Sequence, residues 1–301
     1  MLKTAALFHF RQAVYLQDFQ KALERLPADT DLYINIAESS PSVAALGEQK
    51  EALLETFPHA EIISSPDRGM AMGGLFQLLE YIRGKNYGAI MFAHGLGQEE
   101  WRKKMLLSMS MNSGKVMLRF SQNQSGEKLP AGLIGDRVLP FDYYNIGPFM
   151  ALASRHRIDL NTSWEAFFEQ HPKARDMPVL ERAPWASENR LLSHRPEVDL
   201  EYARAVFGNL NSATQLMNQE YLLQFSQDSV IGQLPFFPGG CFWINGQLMA
   251  KLYPKIDFTA EFAQLPEGLI SDDQFQSPAH AWERLLPVMA AKLGFGILTL
   301  Q

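Results

Sequence analysis

The stretch AEIISSPDRGMAMGGLFQLLEYIRGKNYGAIMFAH, residues 60–94, decides how this chain folds. Ala60 to Ile63 is a short apolar run of strand length. A helical pattern over residues 69–83 follows a glycine-rich start, and Gly88 to Ala93 (GAIMFA) is a second apolar run. A strand, a helix and a strand in so short a span describe a βαβ unit, whose strands lie parallel.

The same rhythm extends outward. Residues 3–9 read as a strand, and 14–26 as a helix with Tyr15, Phe19, Leu23 and Leu26 on one face. Asp31 to Ile36 (DLYINI) reads as the next strand. Ser39-Ser40-Pro41-Ser42 then starts a helix that runs to Thr56. On the other side, Gln98 to Met109 is a helix with Glu99 and Glu100 in its first turn, and Lys115 to Phe120 is expected as a fifth strand. The fold class is therefore α/β: a mostly parallel central sheet with helices on both faces. Such sheets bind ligands at the carboxyl ends of their strands. The loops at residues 9–11, 38–40, 65–74 and 94–98 thus become the places to look.

Beyond residue 120 the rhythm weakens. Gln122 to Lys128 is polar and reads as a loop, and Asp142 to Met150 is aromatic-rich. Residues 155–230 read as a helix-rich, polar insertion broken by Pro172, Pro178, Pro184 and Pro196. The pattern sharpens again at LPFFPGGCFWINGQLMAKL (234–252) and AHAWERLLPVMAAKLG (279–294). We expect one domain over 1–301, with a nucleotide-type half to residue 120 and an acceptor half over 121–301.

Composition limits the alternatives. The 301 residues are 47% apolar and 20% charged, which suits a globule with a substantial core rather than a disordered or collagen-like chain. Cys241 is the single cysteine, so no internal disulfide forms. The net charge of −6 is the opposite of the basic surface that nucleic-acid binders carry, so no nucleic-acid partner is expected. The start MLKTAALFHFRQAV breaks at His9 and Arg11 and lacks a signal peptide's long apolar core. No run reaches the roughly 20 apolar residues of a membrane span. We expect a cytoplasmic chain, with peripheral attachment at the inner face of a membrane left open.

Four segments carry chemistry. Asp67-Arg68-Gly69-Met70-Ala71-Met72-Gly73-Gly74 lies between a strand and a helix. Glycines admit a close ligand, helix N–H groups attract phosphate, and Arg68 offers a bidentate contact. A tight turn with close helix–sheet packing would use the same glycines. The segment is neither a P-loop nor a G-x-G-x-x-G fingerprint. His94 ends the fourth strand, where an imidazole meets either a ligand or the core. Phe237-Pro238-Gly239-Gly240-Cys241-Phe242-Trp243-Ile244 pairs glycines with aromatics, as a sugar site does and as a buried strand with a bulge also does. Phe242 and Ile244 face one way and Trp243 the other. Asp272 and Asp273 sit in a loop before His280, Glu283 and Arg284, which share a helical face.

In this order the segments resemble the GT-A glycosyltransferases, and more narrowly the rhamnan synthesis protein F family of polysaccharide-assembly proteins. The match lies at His9, at Arg68, Gly69 and Gly73, at His94 with Trp101 and Arg102, and at Gly240, Phe242, Trp243, His280, Glu283 and Arg284. It departs at Ala71, where the family has an aspartate, and after His94, where it has a lysine. It also lacks an Asp-x-Asp pair after the fourth strand.

The resemblance implies a Rossmann-like GT-A fold. The implied activity moves a sugar from a nucleotide-sugar to a glycan or lipid-linked acceptor in bacterial surface polysaccharide biosynthesis (capsule or lipopolysaccharide). His9, Glu38, Arg68, Gly69, Gly73, Gly74 and His94 would hold the donor. Asp272 or Asp273 would be the base. Trp243, His280, Glu283 and Arg284 would shape the acceptor site or position its loop. No metal ligand is assigned, and the missing Asp-x-Asp pair puts a magnesium or manganese ion in doubt. The alternative is a catalytically silent glycan- or nucleotide-binding partner in an assembly complex.

Overall fold

The computed structural model describes residues 2–11, 16–38, 43–95, 99–122, 130–136, 139–140, 146–158, 235–237, 240–268 and 277–300. The first half alternates as the sequence predicts: β1 (Thr4–Phe10), α1 (Leu16–Leu23), β2 (Asp31–Glu38), α2 (Val43–Thr56), β3 (Glu61–Pro66), α3 (Met70–Tyr81), β4 (Ala89–His94) and α4 (Glu99–Met111). The expected fifth strand at Lys115–Phe120 is instead helical, within α5 (Ser113–Gln122). Val116 and Phe120, one helical turn apart, are buried, while Lys115, Leu118 and Arg119 face out. That is a 3.6-residue period, which a six-residue window disguises as a strand.

The chain continues with β5 (Ala131–Gly135), β6 (Leu139–Pro140), α6 (Ile146–Arg155), β7 (Pro235–Phe236), β8 (Phe242–Asn245), α7 (Gly246–Leu252), α8 (Phe258–Ala263), α9 (Pro278–Lys292) and β9 (Gly296–Thr299). Most of the expected helix-rich insertion at 155–230 lies outside the described residues.

Seven strands form one sheet in the order β3-β2-β1-β4-β8-β5-β9, and β6 pairs with β7 apart from it. β3, β2, β1 and β4 are mutually parallel, β8 is antiparallel to β4 and to β5, and β9 is parallel to β5. The protein is therefore α/β with a mostly parallel, mixed seven-stranded sheet.

Two cores follow from the strands' alternation. Ala5 and Leu7 of β1 and Ile90 and Phe92 of β4 face one core, shared with α3, α6, α7, α8 and α9. Ala6, Phe8, Phe10, Met91 and Ala93 face the other, shared with α1, α2, α4 and α5. This arrangement obeys right-handed crossover. The chain steps outward from β1 to β3 with its helices on one face. It then returns over α3 on the other face to reach β4. The reversal leaves a topological switch between β1 and β4, where open α/β sheets bind ligands.

The later helices start on side-chain caps. The Asn245 carboxamide accepts from the Gln247 N–H at 2.8 Å, and Asp257 accepts from Ala260 N–H at 2.9 Å. Ser277 accepts from His280 N–H at 3.3 Å, with Pro278 in the first turn. α3 differs: its cap is Gly69 at φ 67°, with no side-chain acceptor.

Candidate functional site

Along β1, the alternation that places Ala5 and Leu7 in the α3-side core places His9 on that face too, at the strand's carboxyl end. His9 lies opposite Asn35 on one side and His94 on the other. The Asn35 amide nitrogen stands 3.1 Å from His9 Nδ1 and donates to Ser65 Oγ at 3.0 Å. A row of buried polar groups thus closes the apolar ladder across β3, β2, β1 and β4. With the amide donating to Nδ1, the proton of the neutral ring rests on Nε2. That atom and the Asn35 Oδ1 have no hydrogen-bond partner among the described residues.

Burial pulls the His9 pKa down from 6.5 to about 3, and the nearby His94 and Arg11 push the same way. His9 is therefore neutral at pH 7. It can offer a hydrogen bond to a ligand but not a charge.

α3 crosses this row at close range, and its glycines make that approach feasible. A methyl group on Gly74 would lie 2.1 Å from His9 Cγ, and one on Gly73 would lie 1.7 Å from the Arg68 carbonyl oxygen. At Gly69 the backbone is left-handed, and a side chain there would meet Leu265 at 2.3 Å. The glycines therefore serve close helix–sheet packing, and the same packing brings the uncapped start of α3 to the strand ends. Uncapped helix N–H groups attract anions.

Gly240 closes on that helix start. Gly240 sits at φ 70°, and its Cβ position lies 3.8 Å from Ala71 Cβ and 3.7 Å from Glu283 Oε1. Glu283 therefore brings a nearly buried carboxylate beside the first turn of α3. Its Oε2 lies 3.2 Å from Arg284 Nη1. Arg284 itself is 1% exposed, donates to the His280 carbonyl at 2.7 Å and stacks over Phe236 at 4.1 Å. His280 Nδ1 lies 3.0 Å from Ser277 Oγ.

Other expected residues land differently. Arg68 does not face the strand ends with an open guanidinium. It donates to the carbonyls of Ala263 and Leu265 at 3.1 Å each and pairs with Glu267. It thereby staples the loop after α8 across the Arg68–Gly69 turn, where Gly69 N–H also donates to Pro266 at 2.8 Å. Glu38 ends β2 and is exposed, beside Pro66 of β3. Trp243 is 0% exposed and donates its indole N–H to the Met109 carbonyl at 3.3 Å. It faces the opposite core from His9, so the acceptor-shaping role expected of it gives way to packing. Asp272 and Asp273 lie outside the described residues. The residue before that segment, Gly268, donates to the Asp67 carbonyl at 2.8 Å. Arg102 is buried beside Asp18, 3.7 Å away, and ties α4 to α1. Burial pushes the Cys241 thiol up, away from a reactive thiolate.

Sequence reasoning missed Asn35 and Ser65, and it missed the pairing of Arg11 with Asp67, which bridges the ends of β1 and β3. The available signal was an asparagine and a serine at inward positions of otherwise apolar strands. Among the described residues no group of three or more His, Cys, Asp or Glu side chains could hold a metal ion. No helix among them is long and apolar enough to cross a membrane.

Compared with known proteins, the chain matches no family model, and no curated protein is significantly similar to it. The class it defines is the α/β protein described above, with a polar row and a glycine-flanked helix start at the carboxyl ends of its parallel strands.

Proposed function

We propose that this chain is a GT-A-type glycosyltransferase that takes a sugar from a nucleotide-sugar donor. The observation that carries the reading is a convergence. His9, His94, the start of α3, Gly240 and Glu283 come from segments far apart in sequence and meet at the switch point of the sheet. That is where an α/β sheet receives a nucleotide.

In this reading the diphosphate lies against the uncapped N–H groups of α3, and His9 Nε2 donates to it or to a ribose hydroxyl. Glu38, at the edge of the same end, faces the ribose or base. Asp272 or Asp273 removes the acceptor hydroxyl's proton. The acceptor oxygen then bonds to the anomeric carbon as the bond to the diphosphate breaks, and the nucleoside diphosphate leaves with that electron pair. Arg284 positions Glu283 and Phe236. The acceptor is a glycan or a lipid-linked sugar of a bacterial surface polysaccharide.

A second reading rests on the engagement of Arg68 with the loop after α8 and on Ala71, which adds no carboxylate beside Gly240. Together they favour a chain that binds a nucleotide or glycan without turning it over.

Titration calorimetry of the full chain with a panel of nucleoside-diphosphate sugars separates the two. We expect donor binding with slow donor hydrolysis. Failure to bind any donor, together with binding of a glycan, overturns the transferase reading. If Asp272→Ala and Asp273→Ala each transfer at the wild-type rate, the base lies elsewhere.

A further inference from the structure

α4 and α5 follow one another through Asn112 and lie on the sheet face opposite the His9 row. Their inward residues, Met105, Leu106, Met109, Val116 and Phe120, are buried in that core. Their outward residues form an unusual mixture. Leu107, Met111 and Leu118 are 45%, 68% and 57% exposed, and three of the five large apolar side chains exposed among the described residues are these. Lys103, Lys104, Lys115 and Arg119 are exposed around them. Lys103 pairs with Glu99 one turn away, while Lys104, Lys115 and Arg119 have no ion-pair partner among the described residues.

Charge makes the face stand out further. Residues 99–122 expose four Lys and Arg against two Glu, a local +2 in a chain whose net charge is −6. A negative plane attracts the exposed cations of this face. Aliphatic and thioether side chains framed by cations match the interfacial layer of an anionic bilayer, where cations meet headgroups and apolar tips enter the acyl boundary. α4 also begins just beyond the carboxyl end of β4, so the face starts beside the candidate site.

We propose that the α4–α5 face seats the protein on an anionic lipid surface. The seat does not depend on the transferase reading. Should both hold, the site would open beside the layer that carries a lipid-linked acceptor.

The test is co-sedimentation of the full chain with vesicles of equal parts phosphatidylglycerol and phosphatidylcholine, against phosphatidylcholine alone. Binding is expected only to the anionic vesicles, and it should weaken as salt rises from about 50 to about 300 mM. Each surface cation contributes roughly fivefold, so Lys104→Gln, Lys115→Gln and Arg119→Gln together should lower the partition on the order of 100-fold. A Leu107→Ser, Leu118→Ser double variant should also release the chain while keeping the charge, which separates seating from non-specific attraction. Circular dichroism confirms that each variant is folded.

Absence of binding to anionic vesicles, equal binding to neutral ones, or undiminished binding by the triple variant each overturns the proposal. So does a wild-type chain that ignores vesicles but runs as an oligomer that the triple variant splits, since the face would then meet protein. Donor calorimetry on the same preparation reads the other question. A chain that binds vesicles but no nucleotide-sugar keeps this inference and loses the transferase.

Discussion

Acid should unfold this protein partly through one side chain, His9. Its imidazole is buried between Asn35, Gly74 and the end of β4, and its pKa falls from 6.5 to about 3, with burial the largest cause. In the unfolded chain the ring takes up a proton near pH 6.5, while in the native state it stays neutral until about pH 3. As pH falls below 6.5 the unfolded state therefore binds more protons, and stability declines. The contribution is fully present above pH 6.5 and is lost progressively between 6.5 and about 3. The slope from this one group is about 1.4 kcal/mol per pH unit, which amounts to about 3 kcal/mol at pH 4.5 and about 5 kcal/mol over the whole window.

Carboxylates titrate in the same range, so the informative quantity is the difference between wild type and His9→Gln. The variant keeps a hydrogen-bonding group but cannot titrate. Urea unfolding of both proteins at half-unit steps from pH 7.5 to pH 4 should give stability curves that converge as pH falls. Their difference should change by about 3 kcal/mol by pH 4.5. Parallel curves would refute the reasoning. So would a histidine resonance assigned to His9 that titrates near pH 6.5.

Two further outcomes follow from the packing. Gly74→Ala places a methyl group 2.1 Å from His9 Cγ, so α3 must lift from β1. The expected cost is about 1–3 kcal/mol, read by denaturant melts, and the perturbed His9 titration should move back toward its ordinary range. Trp243→Phe removes the N–H that satisfies the Met109 carbonyl and leaves a void between β8 and α4. It should cost about 1–3 kcal/mol of stability while leaving nucleotide-sugar affinity, read by calorimetry, unchanged.

The parallel half of the fold was legible because its signals are local. DLYINI, GAIMFA and the run at 3–9 are too short for helices and too apolar for loops. The helices between them carry their own period. The run at 115–120 misled because six residues are too few to tell a period of 3.6 from one of 2 when Val116 and Phe120 bracket Met117 and Leu118. Only packing against β5 and its neighbours decides which of these side chains turn inward.

The candidate site was legible in part. His9, Gly73, Gly74, His94 and Gly240 sit where strand ends and a glycine-flanked helix must meet. Arg68 and Trp243 were expected at a ligand because their residue types fit a ligand as well as they fit a protein neighbour. Their partners, the carbonyls of Ala263, Leu265 and Met109, are backbone atoms far along the chain. Backbone acceptors leave no trace in residue identity.

The sequence by itself determined the alternation of strands and helices and the strand ends where polar residues gather. These are set by neighbours a few residues apart. The tertiary structure alone decided that β8 runs antiparallel between β4 and β5, that Gly240 and Glu283 close on the start of α3, and that α4 and α5 present one cationic and apolar face. Each of these depends on which distant segments bury surface against one another, and that free energy is shared among many residues rather than written at any one of them.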